Sequence, residues 1–126
     1  MKIRTTYLDH VVLNVSDLEA SSRWWSNLIG TRPTKDHEGE LSFLVGGQAI
    51  RLRQGTPAPS GSVSVCLVAD ASIHDLYERA EQLHAIHGSP HPRTAATAPA
   101  QALTLKDPDG YQVELATYTP EGAPIQ

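Results

Sequence analysis

The run Leu8-Asp9-His10-Val11-Val12-Leu13-Asn14-Val15-Ser16-Asp17-Leu18 sets the organisation of the first half of the chain. Its Leu- and Val-rich part predicts a strand over about Tyr7 to Val15. Ser16-Asp17-Leu18-Glu19 reads as a capping box, with the Ser16 hydroxyl accepting from the third helical amide and Glu19 reaching back. Leu18, Trp25, Leu28 and Ile29 follow at helical spacing, and Gly30 supplies a left-handed stop. Beyond it, 32–36 predicts a short edge strand. Residues 41–45 and 48–54 predict a hairpin closed by Gly46-Gly47, because paired glycines accept the positive φ angles of a two-residue turn. Thr56-Pro57-Ala58-Pro59-Ser60-Gly61 is a connector.

The same order then recurs. Val63 to Val68 predicts a strand. Ser72-Ile73-His74-Asp75 resembles a second cap, before a helix running to about Ala85. An edge strand is expected near 86–91, a loop over 94–100, and a closing hairpin of 101–106 and 111–117 about Asp107-Pro108-Asp109-Gly110. Residues 119–126 read as a tail. The expected fold class is α+β: two βαβββ modules, about 1–55 and 61–118, in a single 126-residue domain.

Ten Lys and Arg against fourteen Asp and Glu give a net charge of −4, without a basic stripe, which argues against nucleic acid as a partner. No apolar run approaches a membrane-spanning length. The N-terminus lacks an apolar signal core, and Cys66 is the only cysteine, so no intrachain disulfide can form; a cytoplasmic location is expected.

Alternation gives each strand an apolar face for the helices. Val11, Leu13 and Val15 oppose His10, Val12 and Asn14. Ile50 and Leu52 oppose Arg51 and Arg53. Val63, Val65 and Leu67 oppose Ser64 and Cys66, and Val113 and Leu115 oppose Glu114. The second faces therefore collect His10, Arg51, Arg53, Ser64 and Glu114. These are residue types common in small-molecule pockets, and equally common on a sheet face that meets water. Cys66 is expected as a buried, inert thiol. Trp25 is expected in the core, with Trp24 beside it at a pocket rim.

With His10 and Glu114 the chain resembles a known family. The opening run, Trp24-Trp25 before Leu28-Ile29-Gly30, and Asp107-Pro108-Asp109-Gly110 before Val113-Glu114-Leu115 are similar to the vicinal oxygen chelate superfamily. It includes glyoxalase I, bleomycin- and fosfomycin-resistance proteins and extradiol dioxygenases. Gly61 to Leu67 and Pro92-Arg93-Thr94 look most like its glyoxalase domain-containing protein 5 and bacterial virulence-protein branch. The resemblance implies a cup-shaped mixed sheet with helices on its outer face, a small-molecule ligand or substrate, and a homodimer.

In metal-using members, the ligands to a divalent ion are a His on the first strand, a Glu on the last, and a His or Gln opening the fifth. A fourth-strand residue sometimes joins them. His10 and Glu114 match. Ser64, a poor ligand, stands at the fifth-strand position, and Arg51 and Arg53 stand on the fourth, where the branch commonly has a His in place of Arg53. A fixed guanidinium there would repel an ion, and could instead pair with Glu114 or clamp an anionic ligand.

Three readings stand at this level. One is a metal-free ligand-binding or drug-sequestering protein, with Arg51, Arg53, Ser64, Cys66 and Trp24 as ligand-binding residues. The second is a divalent-metal lyase, isomerase or dioxygenase using His10 and Glu114. The third is a metal-free enzyme in which His10 or Glu114 is the base and Arg51 or Arg53 stabilises an oxyanion.

Overall fold

The computed structural model describes residues 2–118; the expected tail at 119–126 lies outside the described residues. The chain forms two compact units, Met1–Pro57 and Ala58–Gln126. In the first, β1 (His10–Val15), α1 (Leu18–Ile29), β2 (Thr34–Lys35), β3 (Leu41–Val45) and β4 (Gln48–Gln54) give one sheet in the order β1-β4-β3-β2. In the second, β5 (Ser64–Val68), α2 (Ile73–Gln82), β6 (His91–Thr94), β7 (Pro99–Lys106) and β8 (Gln112–Thr117) give a sheet in the order β5-β8-β7-β6. Each sheet has one parallel pair, β1 with β4 or β5 with β8, and is otherwise antiparallel. This is the expected α+β class, with βαβββ built twice.

Amphipathic strands and helices set the two cores. In the first unit Leu13, Val15, Phe43, Ile50 and Leu52 bury one sheet face, and α1 packs there with Trp25 fully buried. Ser21, also buried, fills the helix stripe one turn ahead of Trp25. In the second unit Leu103, Leu105, Val113 and Leu115 meet Ile73, Leu76 and Ala80 of α2. The closing hairpin is held by Asp107, whose buried carboxylate accepts from the amides of Asp109 and Tyr111 at 2.9 Å each. Gly110, at φ 85°, takes the left-handed position of that turn.

Several boundaries differ from expectation. β1 begins at His10, with Tyr7 and Leu8 exposed ahead of it. The N-cap of α1 is Asp17, not Ser16: its carboxylate accepts from the Ala20 amide at 3.1 Å. The cause is tertiary. The Gln54 side chain accepts from the Leu18 amide and donates to the Ser16 carbonyl, pinning the entry one residue later. Glu19, freed from the capping box, pairs with Arg23 one turn on at 3.0 Å. In the second unit Ser72 caps α2 as expected, accepting from the Asp75 amide. That helix ends at Gln82, with His84 in the left-handed region at φ 53°.

The edge strand of the second unit lies at 91–94 rather than 86–91. Ile86 makes only an isolated bridge to Leu105, and Gly88, at φ 115°, interrupts the pairing. Pro92 is tolerated because an edge strand can present its missing N–H outward. The loop expected over 94–100 is shorter, 95–98, since its ends Thr94 and Pro99 pair with each other and Ala100 pairs with Arg93.

Candidate functional site

In the first unit the register puts Val12 beside Arg51 and Asn14 beside Arg53 on the β1–β4 pair. His10, Arg51 and Arg53 therefore share the face away from α1, as alternation requires. The His10 ring is held at both nitrogens: Nδ1 lies 2.7 Å from Asp9 Oδ2, and Nε2 lies 3.4 Å from Arg51 Nη1. Arginine only donates, so Nε2 must accept; the neutral ring then carries its proton on Nδ1 and gives it to Asp9. The Arg51 Nε is buried and has no hydrogen-bond partner. Arg53 is more exposed: its Nε donates to Asn14 Oδ1 at 2.9 Å, and its Nη1 lies 3.9 Å from Glu40, a separation at which water screens the pair.

Trp24 stands on α1, half-buried and edge-on to Trp25 with ring centroids 5.2 Å apart. It therefore belongs to the helix side of its unit, not to the face that carries His10. An open groove of about 420 Å³ also lies in this unit, lined by Leu18, Glu19, Ser22, Arg23, Lys35 and Leu41. It contains none of the residues singled out from the sequence, and its Glu19–Arg23 pair is an ordinary exposed helix pair.

In the second unit the β5–β8 register sets Ser64 beside Gln112 and Cys66 beside Glu114. Ser64 and Cys66 are exposed; the expectation of a buried thiol is thus overturned, because β5 is the sheet's edge and Cys66 faces away from α2. Glu114 is the buried member, its side chain only 6% exposed. The cation that meets it is Arg93, from the far edge strand, with Nε 2.9 Å from Oε2. The contact is an ion pair by distance only. The N–H is not aimed along it, so Oε2 accepts no hydrogen bond although it is buried. Cys66 feels all of this: burial raises its thiol pKa above the ordinary value, the Glu114 charge raises it further, and the Arg93 charge lowers it.

Two residues escaped the sequence reading. Asp9 was legible as the neighbour of His10, but an adjacent residue ordinarily points to the opposite face of a strand; here its carboxylate lies 2.7 Å from the ring. Arg93 was hidden by the misplaced edge strand. The alternation of His91 and Arg93 about Pro92 was the available signal.

The donor set does not fit a divalent ion. The Nε2 lone pair of His10 already faces a guanidinium, and the Glu114 carboxylate already faces another. A cation that cannot lose its proton opposes a second cation at the same atom. Among the described residues, no three His, Cys, Asp or Glu side chains are grouped as an ion would need.

Comparison with known proteins bears on the same fold. The virulence protein STM3117 of Salmonella typhimurium is 28% identical over 121 residues, covering 88% of this chain and 83% of that protein. Its crystal structure superposes with a TM-score of 0.82 at 25% identity, over 93% of this chain and 100% of that one. A protein from the mobile metagenome of V. Pseudocholerae, VPC_CASS1, superposes with a TM-score of 0.84 at 26% identity, over 94% and 99%. The fosfomycin resistance protein FosX of Listeria monocytogenes shares the fold at 18% identity and a TM-score of 0.70, over 94% and 96%. Residues 7–115, nearly the whole described chain, match the Glyoxalase/Bleomycin resistance protein/Dioxygenase superfamily, and the chain belongs to that family.

Proposed function

We propose that this protein is a metal-independent member of its superfamily that binds a small, oxygen-rich anion through arginine. Members of the superfamily often use a divalent metal. The observation that carries the reading is the guanidinium beside His10: Arg51 Nη1 faces the ring nitrogen that a metal would need. Arg93 beside Glu114 supports it from the other unit. A guanidinium offers two parallel N–H groups to a carboxylate, phosphate or enolate oxygen pair, and so does by hydrogen bonding and charge what an ion would do by coordination.

The chemistry open to these residues is binding and proton transfer. Asp9 fixes the His10 tautomer, leaving Nε2 as the accepting atom. If a ligand's anionic group drew Arg51 away, Nε2 would be free to take a proton from that ligand. This supports a second reading, a metal-free enzyme with His10 as the base and Arg51 beside the developing negative charge. Under either reading the protein is cytoplasmic, has no nucleic-acid or membrane partner, and forms a homodimer, closed two-fold pairs being the commonest oligomers. Among the described residues no helix is long and apolar enough to cross a membrane.

Elemental analysis of protein purified without chelator, followed by calorimetric titration with Zn²⁺, Ni²⁺ and Mn²⁺, tests the reading. We expect no stoichiometric metal and weak divalent binding. Arg51→His should raise divalent affinity at least about tenfold, since neutral imidazole is a good ligand. Stoichiometric metal dependent on both His10 and Glu114 in the unmutated protein would overturn the reading and restore a metalloenzyme. Sedimentation at micromolar concentration tests the dimer; a species of 13.6 kDa alone would refute it.

A further inference from the structure

The groove of about 420 Å³ in the first unit has neither His10, Arg51 nor Arg53 in its lining, and its origin can be read from the sheet register. Leu13, Leu52, Leu41 and Lys35 stand opposite one another across β1, β4, β3 and β2, so they form one row on a single face. Leu13 and Leu52 are buried, which places that face on the α1 side; Leu41 is half-buried and Lys35 exposed. An apolar row thus ends in a cation at the outer edge of the sheet. α1 packs over β4 and β3, and its Leu18 and Ser22, one turn apart, flank the outer end of the row together with Glu19 and Arg23. The groove is the gap left where the helix cover stops and the sheet continues. Glu19 and Arg23 neutralise each other at 3.0 Å. Lys35 has no hydrogen-bond or ion-pair partner among the described residues. The lining therefore carries one unmatched positive charge, in a chain of net charge −4.

We infer that this groove is a second ligand site, for an unbranched aliphatic carboxylate whose chain lies against Leu18 and Leu41 and whose carboxylate meets the Lys35 ammonium. Ligand pockets run from roughly 300 to 1,000 Å³, so a groove at the lower end of that range takes a small molecule. Removing methylenes from water is favourable without any directional contact, which suits an open groove with two leucines in its wall. An ammonium is a point charge on a flexible stem, and accepts a carboxylate without demanding a fixed geometry. A lysine at a sheet edge also deters pairing with another strand, but that role confers no preference among small ligands. The site is additional to the anion site around Arg51 and does not depend on it.

Titration of ¹⁵N-labelled protein with butyrate, hexanoate, octanoate and 1-octanol, followed by amide chemical shifts, tests the site. The shifts should centre on Leu18, Ser22, Lys35 and Leu41. Affinity should rise about two- to fourfold for each added methylene, the upper figure being that of full burial. Octanoate should bind about threefold more tightly than 1-octanol at low ionic strength, the scale of an exposed ion pair, and added salt should shrink the difference. Lys35→Met should make the two equal, and Lys35→Glu should reverse their order. Both substitutions fall on an exposed side chain, so the fold should be kept. Leu41→Ser should weaken every chain length.

Shifts centred on His10 and Arg51, and lost in Arg51→Gln, would overturn the groove site and leave the anion-binding reading standing. An octanoate preference retained in Lys35→Met, or equal binding of octanoate and 1-octanol by the unmutated protein, would overturn the carboxylate class. The absence of saturable shifts with any of the four probes would overturn the site outright. So would sedimentation in which Leu41→Ser converts a dimer into a monomer, since the groove would then be a contact between two copies of the chain. Far-ultraviolet circular dichroism checks each variant for folding, and the Lys35 variants carry the test should Leu41→Ser unfold.

Discussion

The two units follow the same element order and the same strand order, yet they hold their arginines in opposite ways. In the first, Arg51 comes from the strand hydrogen-bonded to that of His10, and the ring it meets is about one-third exposed. In the second, Arg93 comes from the outer edge strand, and the carboxylate it meets is almost wholly buried. The first contact is a part-buried 3.4 Å hydrogen bond from a guanidinium to a ring nitrogen. The second is between opposite charges, one of them desolvated. One backbone plan thus supports a loosely held cation in one unit and a tightly required one in the other, because burial rather than topology sets what a charge costs.

The largest way to probe this comparison is through the cores beneath the two sheets. Trp25→Ala should destabilise the first unit by about 3–5 kcal/mol, the usual cost of truncating a fully buried aromatic. Urea unfolding followed by circular dichroism measures it. A loss under about 1 kcal/mol would mean that Trp25 does not anchor the core.

The arginines test the comparison directly. Arg93→Met should cost about 1–3 kcal/mol at pH 7, since it leaves a buried carboxylate oxygen uncompensated. Arg51→Met should cost less than about 1 kcal/mol, because its contact with the His10 ring is long, at 3.4 Å, and the ring is about one-third exposed. Adding Glu114→Gln to Arg93→Met should recover part of the loss, the mark of a coupled pair. Equal costs for the two arginine substitutions would break the distinction drawn here.

The helix ends give the smallest effects. α1 stops at Gly30, φ 87°, whereas the chain leaving α2 passes through His84 at φ 53°. Gly30→Ala should cost about 1 kcal/mol, because a Cβ is disfavoured in the left-handed region. His84→Gly should stabilise by about 0.5–1 kcal/mol if relief of that strain exceeds the entropy glycine adds to the unfolded chain. Thermal melts of both variants are sufficient, and a destabilised His84→Gly would show that the imidazole makes up for its backbone.

The units also differ in how well they could be read from sequence. Ser72 capped its helix as its neighbours indicated, because only local amides are involved. Ser16 did not, because Gln54, far along the chain, holds the Ser16 carbonyl and the Leu18 amide. The hairpin of 41–45 and 48–54 was legible in its glycines and alternation; the strand at 91–94 was not, since Pro92 reads as a breaker unless an edge position is known in advance.

By itself, the sequence determined the periodic features: which strand faces are apolar, that His10, Arg51 and Arg53 lie on the faces opposite them, that Cys66 shares a face with Ser64, and that Trp25 belongs to a core. Those follow from a two-residue or 3.6-residue repeat, which any stretch carries on its own. Tertiary structure decided which charges meet. Arg93 reaches Glu114 across a row of alanines, and Arg51 turns to the His10 ring, because pairing depends on register between strands distant in the chain and on how deeply each partner is buried, and neither is encoded in a local pattern.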